Sequence, residues 1–254
     1  MTLCLFAAIL STIACIAVSV TWCLIPKWRT LHNFISLHQI IIGTLHLYSM
    51  TINTIFFADR SMLFIDINGY LFLTTLSWTF CASTLAYLRL GLVYMMKISF
   101  EKRKAALFAY GTTIVCKIVT DIIVPNIFPL KSLFLIGLPR MLTVYIILGA
   151  NFFLFVCVTK SVIKSTSNLS RARGNRIVAL VGVAILSDIA IHTYTTSLLI
   201  HPLLSMVLSP VLYLRLIPQA LVVLFNRRSR EQWTDYLNKR KRSTNRAMEL
   251  QIRV

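Results

Sequence analysis

Asp188 and His192 stand four residues apart, as do Lys117 and Asp121, so each pair would share one face of a helix. A carboxylate beside an imidazole can hold a ligand or a proton. A lysine beside an aspartate either neutralises it or helps line a path for ions. Arg89 and Arg215 are two further charges, and all six residues lie inside long apolar stretches. Ionisable groups in such surroundings are costly and usually face a helix-bundle interior or a water-filled cavity. Arg215 requires an acid, and Asp188 matches it in depth on the neighbouring stretch. Arg89 lies near the end of its stretch, where it either snorkels to the surface or anchors neighbouring helices as a switch. His38 and His46 read as satisfied bundle histidines.

Catalysis finds no constellation here. The chain has no Gly-rich phosphate loop, no His-Glu-x-x-His and no nucleophile elbow. All six cysteines (Cys4, Cys15, Cys23, Cys81, Cys116 and Cys157) fall in apolar stretches, where they act as small hydrophobes. Neither a disulfide, a metal site nor a cofactor is expected. The one glycosylation sequon, Asn168-Leu169-Ser170, lies in a basic loop on the expected inner side and should go unused.

The elements that must position these charges are membrane helices. Seven apolar stretches, at 2–25, 31–57, 69–96, 105–124, 141–163, 176–200 and 203–225, each reach the roughly 20 residues needed to cross a bilayer core. Hydrophobic residues make up 57% of the chain and charged ones 13%, too few for a soluble surface. Of the 26 Lys and Arg, twenty sit in alternate gaps and in the tail, and only Arg60, Lys131 and Arg140 occupy the other gaps. Cytoplasmic loops collect Lys and Arg, so the N-terminus is expected outside and the C-terminus in the cytosol. The net charge of +18 is thus a topology signal spread over membrane loops, and a nucleic-acid partner is excluded. With short loops, the product is an all-α membrane protein, an up-down seven-helix bundle over 1–225. No residues precede the first span, which argues against an extracellular domain.

The tail, 226–254, is basic. Ser229 is the expected N-cap of a short amphipathic helix with Gln232 completing a capping box, and Trp233, Tyr236 and Leu237 share a face. Such a helix lies in the membrane interface. Disorder is expected beyond Lys239. Two prolines, Pro210 and Pro218, should let the seventh span bend.

Seven spans followed by a basic amphipathic segment resemble a G-protein-coupled receptor. Trp28-Arg29-Thr30-Leu31-His32-Asn33-Phe34-Ile35 resembles the first inner loop and second-helix start of rhodopsin-like and secretin-like receptors. Leu73-Thr74-Thr75-Leu76-Ser77-Trp78 resembles the third helix of secretin-like receptors, including the Methuselah-like group, and Gly149-Ala150-Asn151-Phe152-Phe153-Leu154-Phe155 their fifth. Ile217-Pro218-Gln219-Ala220-Leu221 with Phe225-Asn226-Arg227-Arg228-Ser229-Arg230 resembles a rhodopsin-like seventh helix entering its eighth. The likeness covers the chain in architecture but only these short stretches in sequence. Arg89 is flanked by Leu88 and Leu90 instead of an acid and a tyrosine, and Ala82-Ser83 replaces the secretin-like Glu-Gly. The subfamily stays open. The resemblance implies a small or lipophilic ligand near Asp188, His192 and Trp78, and a heterotrimeric G protein met by Arg89, Lys102, Arg103, Arg171, Arg173, Asn226, Arg227 and Arg228. It also implies the plasma membrane. The alternative is a small transporter or channel using Lys117, Asp121, Asp188 and Arg215.

Overall fold

Pro26 ends the first helix. In the computed structural model, α1 (Thr2–Leu24) stops at Ile25, which precedes the proline and is extended at φ −114°, ψ 91°. The Arg29 guanidinium folds back, its Nε donating to Trp22 O at 2.9 Å and Nη2 to Cys23 O at 2.8 Å, which satisfies carbonyls the helix end leaves open. A 3-10 turn (Pro26–Trp28) leads to α2 (Leu31–Ile52). The Thr30 hydroxyl caps α2, accepting from Asn33 N at 3.3 Å.

The other helices are α3 (Met62–Leu90), α4 (Lys102–Ile118) with a π-helical end (Val119–Ile123), α5 (Leu133–Ile163), α6 (Val181–Ala190), α7 (Leu216–Leu224) and α8 (Arg227–Ile252). The structure describes residues 2–52, 62–90, 101–123, 126, 133–164, 174, 175, 178, 179, 181–186, 188–190, 192, 216–225 and 227–252. Among these, the architecture is all helical, without a strand.

Three helices are long and apolar enough to cross a membrane: Ile67–Leu88, Lys102–Ile123 and Met141–Ile163. The stretches Ala8–Leu24 and Val181–Ala190 are apolar but shorter. α2 fails on apolarity for an instructive reason. Its polar residues Asn33, Ser36, Gln39, Thr44, His46 and Ser49 are buried, while Leu45, Tyr48 and Ile52 are exposed. That is the inverse of a soluble amphipathic helix. α1, α4 and α5 likewise turn Ile9, Ile13 and Ile16, Ile114, Val115 and Ile122, and Leu142, Ile146 and Phe153 outward. An apolar coat over a partly polar interior is the pattern of a bundle solvated by lipid.

α3 is the axis of the bundle. Its apolar window is 72% buried, against 17% for α4 and 22% for α5. Around it, Trp78, Cys81 and Leu85 pack with Ile35, Ala105, Ala109, Val158, Val162, Val181 and Ile185, so one cluster joins α2 to α6. At the other end of α3, Phe72, Leu73 and Leu76 meet Val144 and Ile147 of α5. A further cluster joins α1, α2, α7 and α8 through Val18, Ile25, Trp28, Ile40, Ala220, Val223 and Trp233.

Helix ends differ from the expected spans in three places. α3 begins at Met62 and α5 at Leu133, seven and eight residues ahead of the expected starts at 69 and 141, because apolar residues such as Met62, Leu63, Phe64, Leu133 and Phe134 extend each pattern outward. α8 runs unbroken to Ile252, past the point where disorder was expected, and no Gly or Pro interrupts its sequence. Ser229 lies in the first turn of that helix, past its start at Arg227, and is not its N-cap: its Oγ donates to Val223 O at 3.0 Å and accepts from Trp28 Nε1 at 2.8 Å. Its hydroxyl thus closes the open end of α7 instead of the start of α8.

Gly174 lies where a side chain cannot. A Cβ there would come within 2.6 Å of Val162 Cγ2 and 2.9 Å of Cγ1, and Val162 is itself in the core. Gly174→Ala is expected to cost about 1–3 kcal/mol through forced repacking, read as a lowered thermal midpoint of the detergent-purified protein.

Candidate functional site

A polar layer crosses the bundle interior. Gln39 of α2 donates from Nε2 to Thr79 Oγ1 of α3 at 3.3 Å, and its Oε1 accepts from Gln219 Nε2 of α7 at 3.3 Å. The Thr79 hydroxyl donates in turn to Thr75 O at 3.1 Å, and Thr75 Oγ1 to Leu71 O at 3.0 Å. All four side chains are buried. Hydroxyls that bond back to their own helix are common where helices need polar contact without extra volume.

Asp188 of α6 completes the layer. Its side chain is 1% exposed and, with Gln39, Thr75, Thr79, Gln219, Ala184 and Leu216, lines a cavity of about 10 Å³. That is room for about one water molecule. The carboxyl group thus shares a cavity with amide and hydroxyl groups from three other helices, the setting a buried acidic group requires.

Asn151 of α5 is fully buried, and among the described residues neither Oδ1 nor Nδ2 has a hydrogen-bond partner. It continues the α5 face that carries Val144, Ile147, Val158 and Val162 against α3. A buried amide without partners costs about 1–3 kcal/mol. Asn151→Leu, close in size, is therefore expected to stabilise this packing by about that amount, visible as a higher thermal midpoint. A midpoint that falls instead would mean the amide is satisfied.

His192, also helical and four residues after Asp188, lies parallel to the Phe72 ring at 6.4 Å and edge-on to Tyr145 at 4.6 Å. It faces α3 and α5, whereas Asp188 faces α2, α3 and α7, so the two expected ligand residues serve different clusters. Trp78, the third, is fully buried. It stacks on His38 at 4.6 Å and meets Phe34 and Tyr110 edge-on at 5.9 and 5.4 Å, while His38 Nδ1 and Tyr110 Oη lie 3.0 Å apart. It therefore ties α3 to α2 and α4.

Lys117 and Asp121 form the expected ion pair along α4, and Thr120 Oγ1 donates to Asp121 Oδ1 at 3.1 Å. The pair sits where the helix opens into its π turn, with the two side chains 27% and 19% exposed. It does not line the cavity that Asp188 lines. At the end of the bundle that carries α8, Lys102 Nζ lies 5.1 Å from the Trp22 ring centre, a cation–π contact. Arg103, Arg227 and Arg228 are exposed there, and Arg227 pairs with Glu231 at 2.9 Å. Arg89 occupies the last turn of α3. Arg171, Arg173, Arg215 and Asn226 lie outside the described residues, and with Arg215 the expected pairing to Asp188.

Sequence reading passed over Gln39, Thr75, Thr79 and Gln219. The available signal was a set of uncharged polar residues inside apolar stretches, which charge counting overlooks. No known protein family matches the chain, and no curated protein does. Among the described residues, no group of three or more His, Cys, Asp or Glu is placed to hold a metal ion.

Proposed function

We propose that this chain is an atypical receptor of the G-protein-coupled kind: seven spans, N-terminus outside, the α8 end in the cytosol, residing in the plasma membrane. A small or lipophilic ligand entering from the outer side shifts the bundle between two packings and opens a cleft to a heterotrimeric G protein. The polar layer supports this reading best. Hydrogen bonds link α2, α3 and α7 around a one-water cavity bounded by Asp188, and the buried Asn151 amide has no hydrogen-bond partner among the described residues. Interior polar groups with better partners in a second arrangement are what a two-state bundle needs. Arg89, the inner loops and the start of α8 face the partner.

Topology comes first. With an engineered sequon in 125–140 and tags in 164–175 and the tail, glycosylation of the sequon and cytosolic tags are expected. Glycosylation at Asn168 would end the seven-span arrangement. Ligand-dependent nucleotide exchange on a purified heterotrimer then tests coupling, and no exchange with any heterotrimer would remove the receptor reading. A transporter would draw its charges along one path, whereas Lys117 and Asp121 pair with each other outside the Asp188 cavity. Neutralising Lys117 should leave solute flux unchanged.

A further inference from the structure

The first half of α8 is pinned sideways. Ser229 accepts from Trp28, Gln232 Nε2 donates to Lys27 O at 3.3 Å, and Asp235 lies 3.9 Å from Lys27 Nζ. From Ser229 to Asp235 a helix advances about 9 Å, yet all three residues meet one short turn, Pro26–Trp28. α8 therefore crosses the end of α1 instead of continuing the axis of α7. Trp233 packs into the cluster of Ile25, Trp28 and Val223 beneath it.

Beyond that anchor the helix runs about 25 Å further, from Asp235 to Ile252. Lys239, Arg240, Lys241 and Arg242 follow in succession, with Arg246 one turn on, and no acid intervenes between Asp235 and Glu249. Residues 239–245 are all exposed, and none of the four consecutive bases has an acidic partner among the described residues. Leu237 is 55% exposed, and Arg240 and Lys241 stand three and four positions after it, flanking it on one face. Phe225, at the end of α7, is 64% exposed.

We propose that this distal half of α8 is a docking surface for anionic phospholipid headgroups at the membrane face beside the bundle. The bases meet the phosphates, and Leu237 and Phe225 reach the acyl boundary. An apolar anchor bordered by bases fits a lipid surface, where charge and hydrocarbon lie side by side. Arginine and lysine on such a face attract anionic lipid over about one Debye length. The proposal rests on the α8 end facing the anionic cytosolic leaflet.

The test uses the full-length protein in nanodiscs of phosphatidylcholine alone or mixed with phosphatidylserine, with amide exchange of residues 238–252 followed by mass spectrometry. Both leaflets of a nanodisc are alike, so failure here is separate from failure of the orientation. Exchange of this segment should slow in the anionic discs and recover in high salt. The variant Lys239→Gln, Arg240→Gln, Lys241→Gln, Arg242→Gln should lose the protection, each base contributing about fivefold to the bound-to-free ratio. Exchange in 228–237 and in α3 should not change, showing that the variant is folded. Equal exchange in both discs overturns the proposal. So does protection by soluble polyglutamate where phosphatidylserine gives none, which would assign the surface to an acidic protein.

Discussion

Trp78→Ala is expected to cost about 3–5 kcal/mol, the range for deleting a large buried aromatic. For a chain of this size that is a fall of about 6–20 °C in the thermal midpoint in detergent. The magnitude follows from position. Trp78 is fully buried on the axial helix and touches Phe34, His38 and Tyr110, so its removal opens a cavity between α2, α3 and α4 at once. Trp78→Phe keeps a ring against His38 and should cost less than half as much. If the alanine variant unfolds within 1–2 °C of the parent, near the resolution of about a fraction of a kcal/mol, the ring cluster is not holding these helices together.

Trp28→Ala should have an effect of similar size, about 3–5 kcal/mol, with a second readout. The indole is 1% exposed and donates to Ser229, so its loss both empties part of the α1–α2–α7 cluster and frees the hydroxyl that closes α7. α8 should then undock. Trypsin cleavage at Arg227, Arg228 and Arg230 is the sensitive measurement, because the docked helix protects those bonds. Ser229→Ala separates the two contributions. It keeps the packing but leaves the Trp28 N–H buried without an acceptor, at about 1–3 kcal/mol. Rapid cleavage in both variants supports the hydrogen bond as the latch. Rapid cleavage in Trp28→Ala alone assigns the latch to packing, and unchanged cleavage in both would mean α8 is held elsewhere, through Trp233 or Lys27.

These two residues also show where sequence reading reaches its limit. Both tryptophans are legible in the sequence, yet nothing in their spacing says that Trp28 would reach across to Ser229, 201 residues away, or that Trp78 would stack on His38. The i to i+4 pairing of Lys117 with Asp121 was legible, because helical geometry alone brings them together. The same spacing for Asp188 and His192 was legible as a shared helix, but their division between two clusters was not, since that depends on which helices flank each turn.

What sequence by itself determined is the local and the compositional: the apolar character of the helices, the absence of catalytic motifs, and an alternating charge pattern that carries the proposed orientation. Hydrocarbon length and backbone hydrogen bonding act residue by residue, so a linear pattern records them. Only the tertiary structure decided that α3 is the axis, that α2 turns its polar side inward, and that Gln39, Thr79, Gln219 and Asp188 meet around one small cavity. Those outcomes depend on which helix face meets which neighbour. Packing among several helices fixes that choice cooperatively, and a single chain of letters does not write it down.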